Sequence, residues 1–344
     1  MERAGQPSPD VGVGVAGAGP WGLTLAGAFA RARGVRLVGV ADLDGERLAR
    51  AGAAHAGVVL TPDFDRLLAE RGVDAVAVAV DSPRHHELAR RALRAGRHVL
   101  VEKPMALSAA EGAELVELAA SRRLVLMVGH VLLHHPGVAA MRALVAEGAL
   151  GRVLYLQATR VGFGTVRPRE SAWWSVGPHD VAVALHVLGD VPTSVSATGA
   201  AYLQEGAADV AFATLRFADG RVAQLHVSWL APEKRRALTI VGTRRMLTFD
   251  ETDRERGLRV HDRSFERAAG ARGAIEGRVG EIEIPALPVV EPLVAECEAF
   301  ARAVARGERP LGDGARALDV LRVLEAGDRS MKAGGAPVEV ERPS

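Results

Sequence analysis

The chain has 344 residues, a quarter of them charged, with a formal net charge of +1. That length exceeds one ordinary core and predicts two domains, while cations scattered among acids leave no footprint for nucleic acid or an anionic membrane surface. Cys297 is the single cysteine, which excludes an internal disulfide or a multi-cysteine metal site and fits a reducing, cytoplasmic compartment.

Residues 1–10, "MERAGQPSPD", read as a disordered tail. The next stretch, "VGVGVAGAGPWGLTLAGAFARA" from Val11 to Ala32, is apolar enough to raise export or membrane insertion. A signal peptide wants a positive start, and here Glu2 and Asp10 outweigh Arg3. A membrane helix wants about 20 apolar residues with few breakers, and this run is broken by Gly12, Gly14, Gly17, Gly19, Gly22, Gly27 and Pro20. Strand, turn and helix fit better.

The turn reads Gly17-Ala18-Gly19-Pro20-Trp21-Gly22, a G-x-G-x-x-G pattern. Gly17 permits a tight turn, Gly19 leaves room for a pyrophosphate, and Gly22 lets helix and strand pack closely. The helix N-terminus then offers N–H groups to the phosphates. Trp21 either shields the cofactor or only closes the turn. In a chain with 38 glycines the pattern alone is weak. It gains from "VRLVGVADLD", a second strand ending in Asp42, 20 residues past Gly22. An acid there accepts the ribose hydroxyls and repels a 2′-phosphate, so NAD is favoured over NADP. Asp44 is the second candidate for that contact.

"FDRLLAERG" then reads as a helix closed by Gly72, "VDAVAVAV" as a buried strand, and "HHELARRALRAG" as a helix ending at Gly96. "RHVLVEKP" is a strand, "SAAEGAELVELAASRR" a helix capped by Ser108, and "LVLMVGH" a strand. Repeated β-α units predict a doubly wound parallel sheet, whose ligands sit at the carboxyl ends of its strands. Asp42, Asp81, Lys103 and His130 all fall at such ends.

The glycine turn "GAGPWG", the acid after the second strand and Glu102-Lys103-Pro104 resemble the glucose–fructose oxidoreductase/inositol dehydrogenase/MocA family. The resemblance implies that Glu102, Lys103 and Pro104 line the cofactor. It also implies that the Lys103 ammonium meets the substrate hydroxyl whose carbon gives up hydride. One departure stands in "VAVDSPRHHELA", where the family usually shows a Thr-Pro pair. Asp81 and Ser82 hold that place, His85 aligns with the usual histidine, and Asp81 would have to face the ribose or the nicotinamide amide.

After "GHVLLHHPGVAAMRALVAEGALG" the pattern turns to period two, through "RVLYLQATRVGF", "TSVSATGAAYLQ", "DVAFATLRFADGRVAQLHVSWL", "RRALTIVGTRRMLTFD" and "LRVHD". The predicted architecture is α/β, a Rossmann-type parallel sheet over residues 11–128. An α+β domain with an open, mainly antiparallel sheet follows over residues 129–344. The resemblance implies that the second domain covers the substrate and mediates a homodimer or homotetramer, with two C-terminal helices packing back on the core.

The chemistry of this half concentrates in "ESAWWSVGPHDVAVALHVLGD". A Gly-Pro turn is predicted to present His179, with Asp180 opening a helix that Gly189 closes. Many family members carry an Asp four residues before this histidine, where this chain has Ser175. "W-S-x-x-P-H-D" instead resembles the branch that oxidises C3 of UDP-N-acetylglucosamine-type sugars. The resemblance implies His179 as the base that takes the hydroxyl proton, with Lys103 stabilising the alkoxide and Asp180 orienting or capping. His186 reads as packed.

Arg160, Arg167, Arg169 and Trp174 are the remaining substrate candidates, although solvated charge and core packing explain arginine and tryptophan as well. Adjacent His85-His86 and His134-His135 cannot share a helix face, so no metal site is expected. The alternatives left open are a ketoreductase or redox-neutral epimerase on another sugar or cyclitol, and a non-catalytic dinucleotide sensor, for which Ser175 argues.

Overall fold

The computed structural model describes residues 10–164, 166–167, 170–253, 257–267 and 274–341. Residues 1–9 of the expected tail and Arg169 lie outside them. From Val11 the chain alternates strand and helix: β1 (Val11–Ala16), α1 (Pro20–Arg31), β2 (Val35–Ala41), α2 (Gly45–Ala54), β3 (Val59–Thr61) and α3 (Phe64–Ala69). It continues with β4 (Ala75–Val78), α4 (His85–Arg94), β5 (His98–Glu102), α5 (Ala109–Ser121) and β6 (Leu126–Gly129). The six strands are parallel, in the order β3-β2-β1-β4-β5-β6. β1, β4 and β6 are buried along their whole length, as a sheet covered on both faces requires. Apolar periodicity does not predict α2 or β3, and β3 with its three residues is too short to carry a period.

The second half runs through α6 (Pro136–Ala146), β7 (Val153–Phe163), α7 (Ala172–Leu188), β8 (Ser194–Ala200), β9 (Val210–Arg216) and β10 (Val222–Ser228). Then come β11 (Leu230–Gly242), β12 (Met246–Asp250), β13 (Leu258–Arg267), β14 (Ile275–Glu283), α8 (Pro292–Arg306), α9 (Gly314–Lys332) and β15 (Val338–Glu339). Nine strands form one sheet, β14-β13-β12-β11-β7-β10-β9-β8-β15, antiparallel except where β7 meets β10. α7 packs on β7, β9 and β10. Leu156, Ala213 and Leu225 are buried on these strands, whereas their neighbours Tyr155, Phe212 and Gln224 are exposed, which is the period-two pattern made visible.

The helix that carries His179 differs from the expectation. No turn precedes it at Gly177-Pro178, because one helix runs from Ala172 through Pro178 to Leu188. Ser171 starts it, its Oγ accepting the Trp174 N–H at 3.2 Å, and Gly189 closes it in the left-handed region at φ 70°. Pro178 only withholds an N–H from the Trp174 carbonyl. Burial of Trp173, Val181, Ala184 and Val187 on the same helix outweighs that loss.

The described residues up to His134 form one compact unit together with Val290–Leu321, and His135–Val289 with the residues from Arg322 form another. A single cut after residue 128 therefore does not describe the chain, which returns to its first unit through α8. There Leu293, Cys297 and Phe300 join Val13, Val15, Leu25 and Phe29 in one core, with the Phe29 and Phe300 rings edge to face at 6.4 Å. Among the described residues no helix is long and apolar enough to cross a membrane.

Candidate active site

In the first unit the glycine turn has the form its sequence demands. Gly17 takes φ +102°, and a Cβ there would lie 2.3 Å from the Ala79 carbonyl oxygen. A Cβ on Gly22 would lie 2.0 Å from the Gly17 oxygen, so helix and strand approach as only glycine allows. At Gly19 a Cβ would meet only Arg47 Nη1, at 4.0 Å. Open space thus fronts the start of α1, whose first intrahelical bond is Leu23 N–H to the Gly19 carbonyl. The N–H groups of Trp21 and Gly22 precede that bond and have no acceptor within the helix, and Pro20 at the first position has no N–H to lose. A pyrophosphate fits such a cradle. Trp21 is 44% exposed on the first turn, so it does not fill core space.

Asp42 stands at the end of β2, its Oδ2 accepting the Ala18 N–H at 2.6 Å and its Oδ1 the Asp44 N–H at 2.9 Å. Asp42 thereby ties the end of β2 to the glycine turn. Asp44, the second candidate, is the cap of α2 and accepts the N–H groups of Glu46 and Arg47. The Arg47 N–H does most to hold its carboxyl below the usual range. Apolar pattern and motif both miss Arg47, whose guanidinium returns to 3.8 Å from Asp42 and 3.3 Å from Asp44. Its place three residues after the cap, one helical turn on, is the signal that could have found it.

Asp81 is exposed at the head of a 3-10 turn, Ser82–Arg84, while Ser82 beneath it is buried. His85 is buried, with Nδ1 2.7 Å from the Pro104 carbonyl oxygen and Nε2 2.9 Å from that of Val80. One imidazole therefore joins the loop after β4 to the Glu102-Lys103-Pro104 turn, whose Lys103–Pro104 peptide is cis. Glu102 is buried and accepts the Lys103 N–H at 3.3 Å, Pro104 is buried, and Lys103 is half-buried. His130, at the end of β6, lies within reach of the Lys103 charge. Burial first, then Lys103 and His134, lower its pKa to about 3, so His130 stays a neutral imidazole.

In the second unit α7 sets out the other candidates. Ser175 is buried and His179 half-buried, one turn apart on the same helix. Trp173 is wholly buried and donates its indole N–H to the Leu324 carbonyl at 2.9 Å. Trp174 donates to Asp328 Oδ2 at 2.6 Å, so its indole is tied to α9. Asp180 is buried and accepts from Arg160 Nε at 2.9 Å, and Arg160 Nη1 stands 3.0 Å from Glu251 Oε2. The guanidinium that sequence offers to a substrate is thus engaged by two carboxylates. It stays cationic, while burial outweighs its pull and holds Asp180 above the ordinary carboxylate range. Arg167 is exposed and stands 3.5 Å from Glu170. His186 is half-buried further along α7. Among the described residues no group of three or more His, Cys, Asp or Glu could hold a metal ion.

Both units have known counterparts. Residues 11–130 match the family described as an oxidoreductase family with an NAD-binding Rossmann fold, and residues 138–248 match the GFO/IDH/MocA C-terminal domain. The UDP-N-acetylglucosamine 3-dehydrogenase of Acidithiobacillus ferrooxidans is 31% identical over 83% of this chain and 87% of its own. Its solved structure superposes with a TM-score of 0.78 at 29% identity, covering 94% of this chain and 97% of that one. GenD2 from gentamicin A biosynthesis, solved with NAD, gives a TM-score of 0.82 at 25% identity over 99% of each chain. A dTDP-3,4-didehydro-2,6-dideoxy-alpha-D-glucose 3-reductase of Streptomyces violaceoruber is 39% identical over 46% of this chain and 45% of its own. Its glycine turn and Asp42 lie at the strand ends of a sheet that this family also builds, and the chain belongs to the glucose–fructose oxidoreductase/inositol dehydrogenase/MocA family of NAD-binding oxidoreductases.

Proposed function

We propose that the enzyme oxidises a secondary hydroxyl of a sugar, at C3 of a nucleotide-linked amino sugar such as UDP-N-acetylglucosamine or its uronate. The observation that carries this is the 31% identity to a UDP-N-acetylglucosamine 3-dehydrogenase across 83% of the chain, with Trp174, Ser175, Pro178, His179 and Asp180 as the local motif. When bound, NAD supplies a two-electron acceptor for hydride. Gly17, Gly19, Pro20, Trp21 and Gly22 hold its phosphates, Asp42 its ribose, and the turns at Asp81 and at Glu102-Lys103-Pro104 its nicotinamide end. The Lys103 ammonium donates to the reacting oxygen and stabilises alkoxide character there, and His179 takes the hydroxyl proton. As the hydroxyl becomes a ketone, its proton would end on His179, with the hydride taken up by the bound cofactor. Asp180, locked to Arg160, fixes the turn of α7 that carries His179.

The reverse direction, reduction of a 3-keto sugar nucleotide, uses the same two groups, and the relative named a 3-reductase supports it. Purified protein mixed with NAD and UDP-N-acetylglucosamine, or its uronate, is expected to raise the absorbance of reduced nicotinamide. Lys103→Ala is expected to cut that rate by about 10²–10³-fold with NAD affinity held within a few-fold. An unchanged rate in the variant overturns the role of Lys103. Absence of turnover with a panel of sugar nucleotides, despite measured NAD binding, overturns the substrate class.

A further inference from the structure

One imidazole of the first unit faces two groups that can only accept. His85, the first residue of α4, is 1% exposed, with Nδ1 2.7 Å from the Pro104 carbonyl oxygen and Nε2 2.9 Å from that of Val80. A neutral imidazole carries one N–H and one bare nitrogen, whereas a carbonyl oxygen brings lone pairs and no proton. In either neutral tautomer one contact is a hydrogen bond and the other sets two lone pairs against each other. With a proton on both nitrogens, both contacts become charge-assisted hydrogen bonds of ordinary length.

Burial alone favours the neutral ring, as it does at His130. The two sites differ in what meets the ring. His130 Nδ1 has no hydrogen-bond partner among the described residues, whereas at His85 an acceptor stands on each side. Charges on the surrounding segments are of both signs. Arg84, Lys103 and the N-terminal end of α4 oppose a cation, and Asp81, Glu87 and Glu102 favour one. On α5, which packs on α4, Glu111 accepts the Leu107 N–H, and Glu114 is engaged by His86 at 2.8 Å and Arg90 at 3.5 Å. The two carbonyls therefore decide.

Both carbonyls belong to loops at the carboxyl ends of strands. Val80 follows β4 beside the glycine turn, where a Cβ on Gly17 would lie 2.3 Å from the Ala79 oxygen and 3.1 Å from Val80 Cγ1. Pro104 follows Lys103 after β5. We propose that His85 holds a proton on each ring nitrogen and, by donating to both carbonyls, is a positioning residue that fixes the Lys103-Pro104 turn to the loop beside the glycine turn. The ring acts through the backbone. Its effect on turnover rests on the role proposed for Lys103, whereas its protonation does not.

NMR of the whole protein, labelled in carbon and nitrogen and held at about pH 8, tests the protonation well above the ordinary imidazole value of about 6.5. The His85 ring, assigned through bonds to its own Cβ, is expected to show an N–H proton on both Nδ1 and Nε2. One protonated and one bare nitrogen overturns the proposal, whether or not the sugar substrate has been identified. In turnover, His85→Phe keeps a ring and removes both donors, and is expected to lose about tenfold in rate. His85→Gln, whose amide can donate to one carbonyl, should lose less. A ring that only fills space gives the opposite order, so a Phe variant as active as the Gln variant overturns the positioning role. Should the variants not fold, the wild type still decides. Loss of one ring proton at higher pH is expected to move the carbonyl signal of Val80 or Pro104 together with the backbone signals of Lys103, and static Lys103 signals through that step overturn the positioning role.

Discussion

In the second unit Arg160 is buried between Asp180 and Glu251, a cation set against two acids at 2.9 and 3.0 Å. In the first unit Glu296 is wholly buried with no hydrogen-bond partner for either oxygen among the described residues, and His130 feels the like charge of Lys103. Opposite charges offset their desolvation by pairing, although at Asp180 burial still outweighs the pull of Arg160. Like charges settle it only by holding or refusing a proton. The interior of the first unit is therefore sensitive to acid, and the Arg160 cluster is sensitive to the loss of a partner.

Three experiments probe that contrast. The largest effect is expected from Arg160→Met, which leaves the buried Asp180 and the half-buried Glu251 without their cation. Chemical denaturation should show a loss of about 3–5 kcal/mol, with Arg160→Lys recovering part of it because an ammonium lacks the guanidinium fork. A loss under about 1 kcal/mol would mean that the cluster is solvated.

The next concerns His130. Its folded pKa of about 3 lies below the ordinary 6.5, so the unfolded chain takes up the proton first as pH falls. The stability it contributes is complete above pH 6.5 and is lost progressively as pH drops toward 3. Between pH 6.5 and about 5 the loss should be about 2 kcal/mol. His130→Asn should remove that increment from the pH dependence of the denaturation midpoint, and identical slopes in variant and wild type would contradict it. The smallest effect is expected at Trp174, whose N–H offsets the burial that raises the pKa of Asp328. Trp174→Phe keeps a ring and loses the donor, which should cost about 1 kcal/mol by thermal denaturation.

What was legible in the sequence is what local backbone chemistry dictates. Gly17 and Gly22 sit where a Cβ would collide with a carbonyl, and Asp42 sits at a strand end, so spacing along the chain finds them. The Rossmann and mixed-sheet fold classes follow from periods of 3.6 and 2, as does the strand alternation around Tyr155 and Phe212. The start of α7 was not legible, because Pro178 signals a break that tertiary burial overrides. The carboxylate partners of Arg160 were not legible, because Asp180 and Glu251 lie 20 and 91 positions away along the chain and the fold brings them to it. Arg47, the double contact of His85 and the burial of Glu296 were hidden for the same reason. Each is defined by a partner that folding supplies.

The return of α8 has a consequence for how the protein is made. Phe29 waits for Phe300, and the core begun at Val11 is closed by residues that follow the first and longer segment of the second unit. At ordinary synthesis rates the 155 residues from His135 to Val289 delay that closure by on the order of ten to thirty seconds. Meanwhile the α1 side of the sheet exposes the apolar layer meant for Leu293, Cys297 and Phe300. A fragment cut at His134 would leave that apolar layer permanently uncovered and is expected to aggregate where the full chain does not.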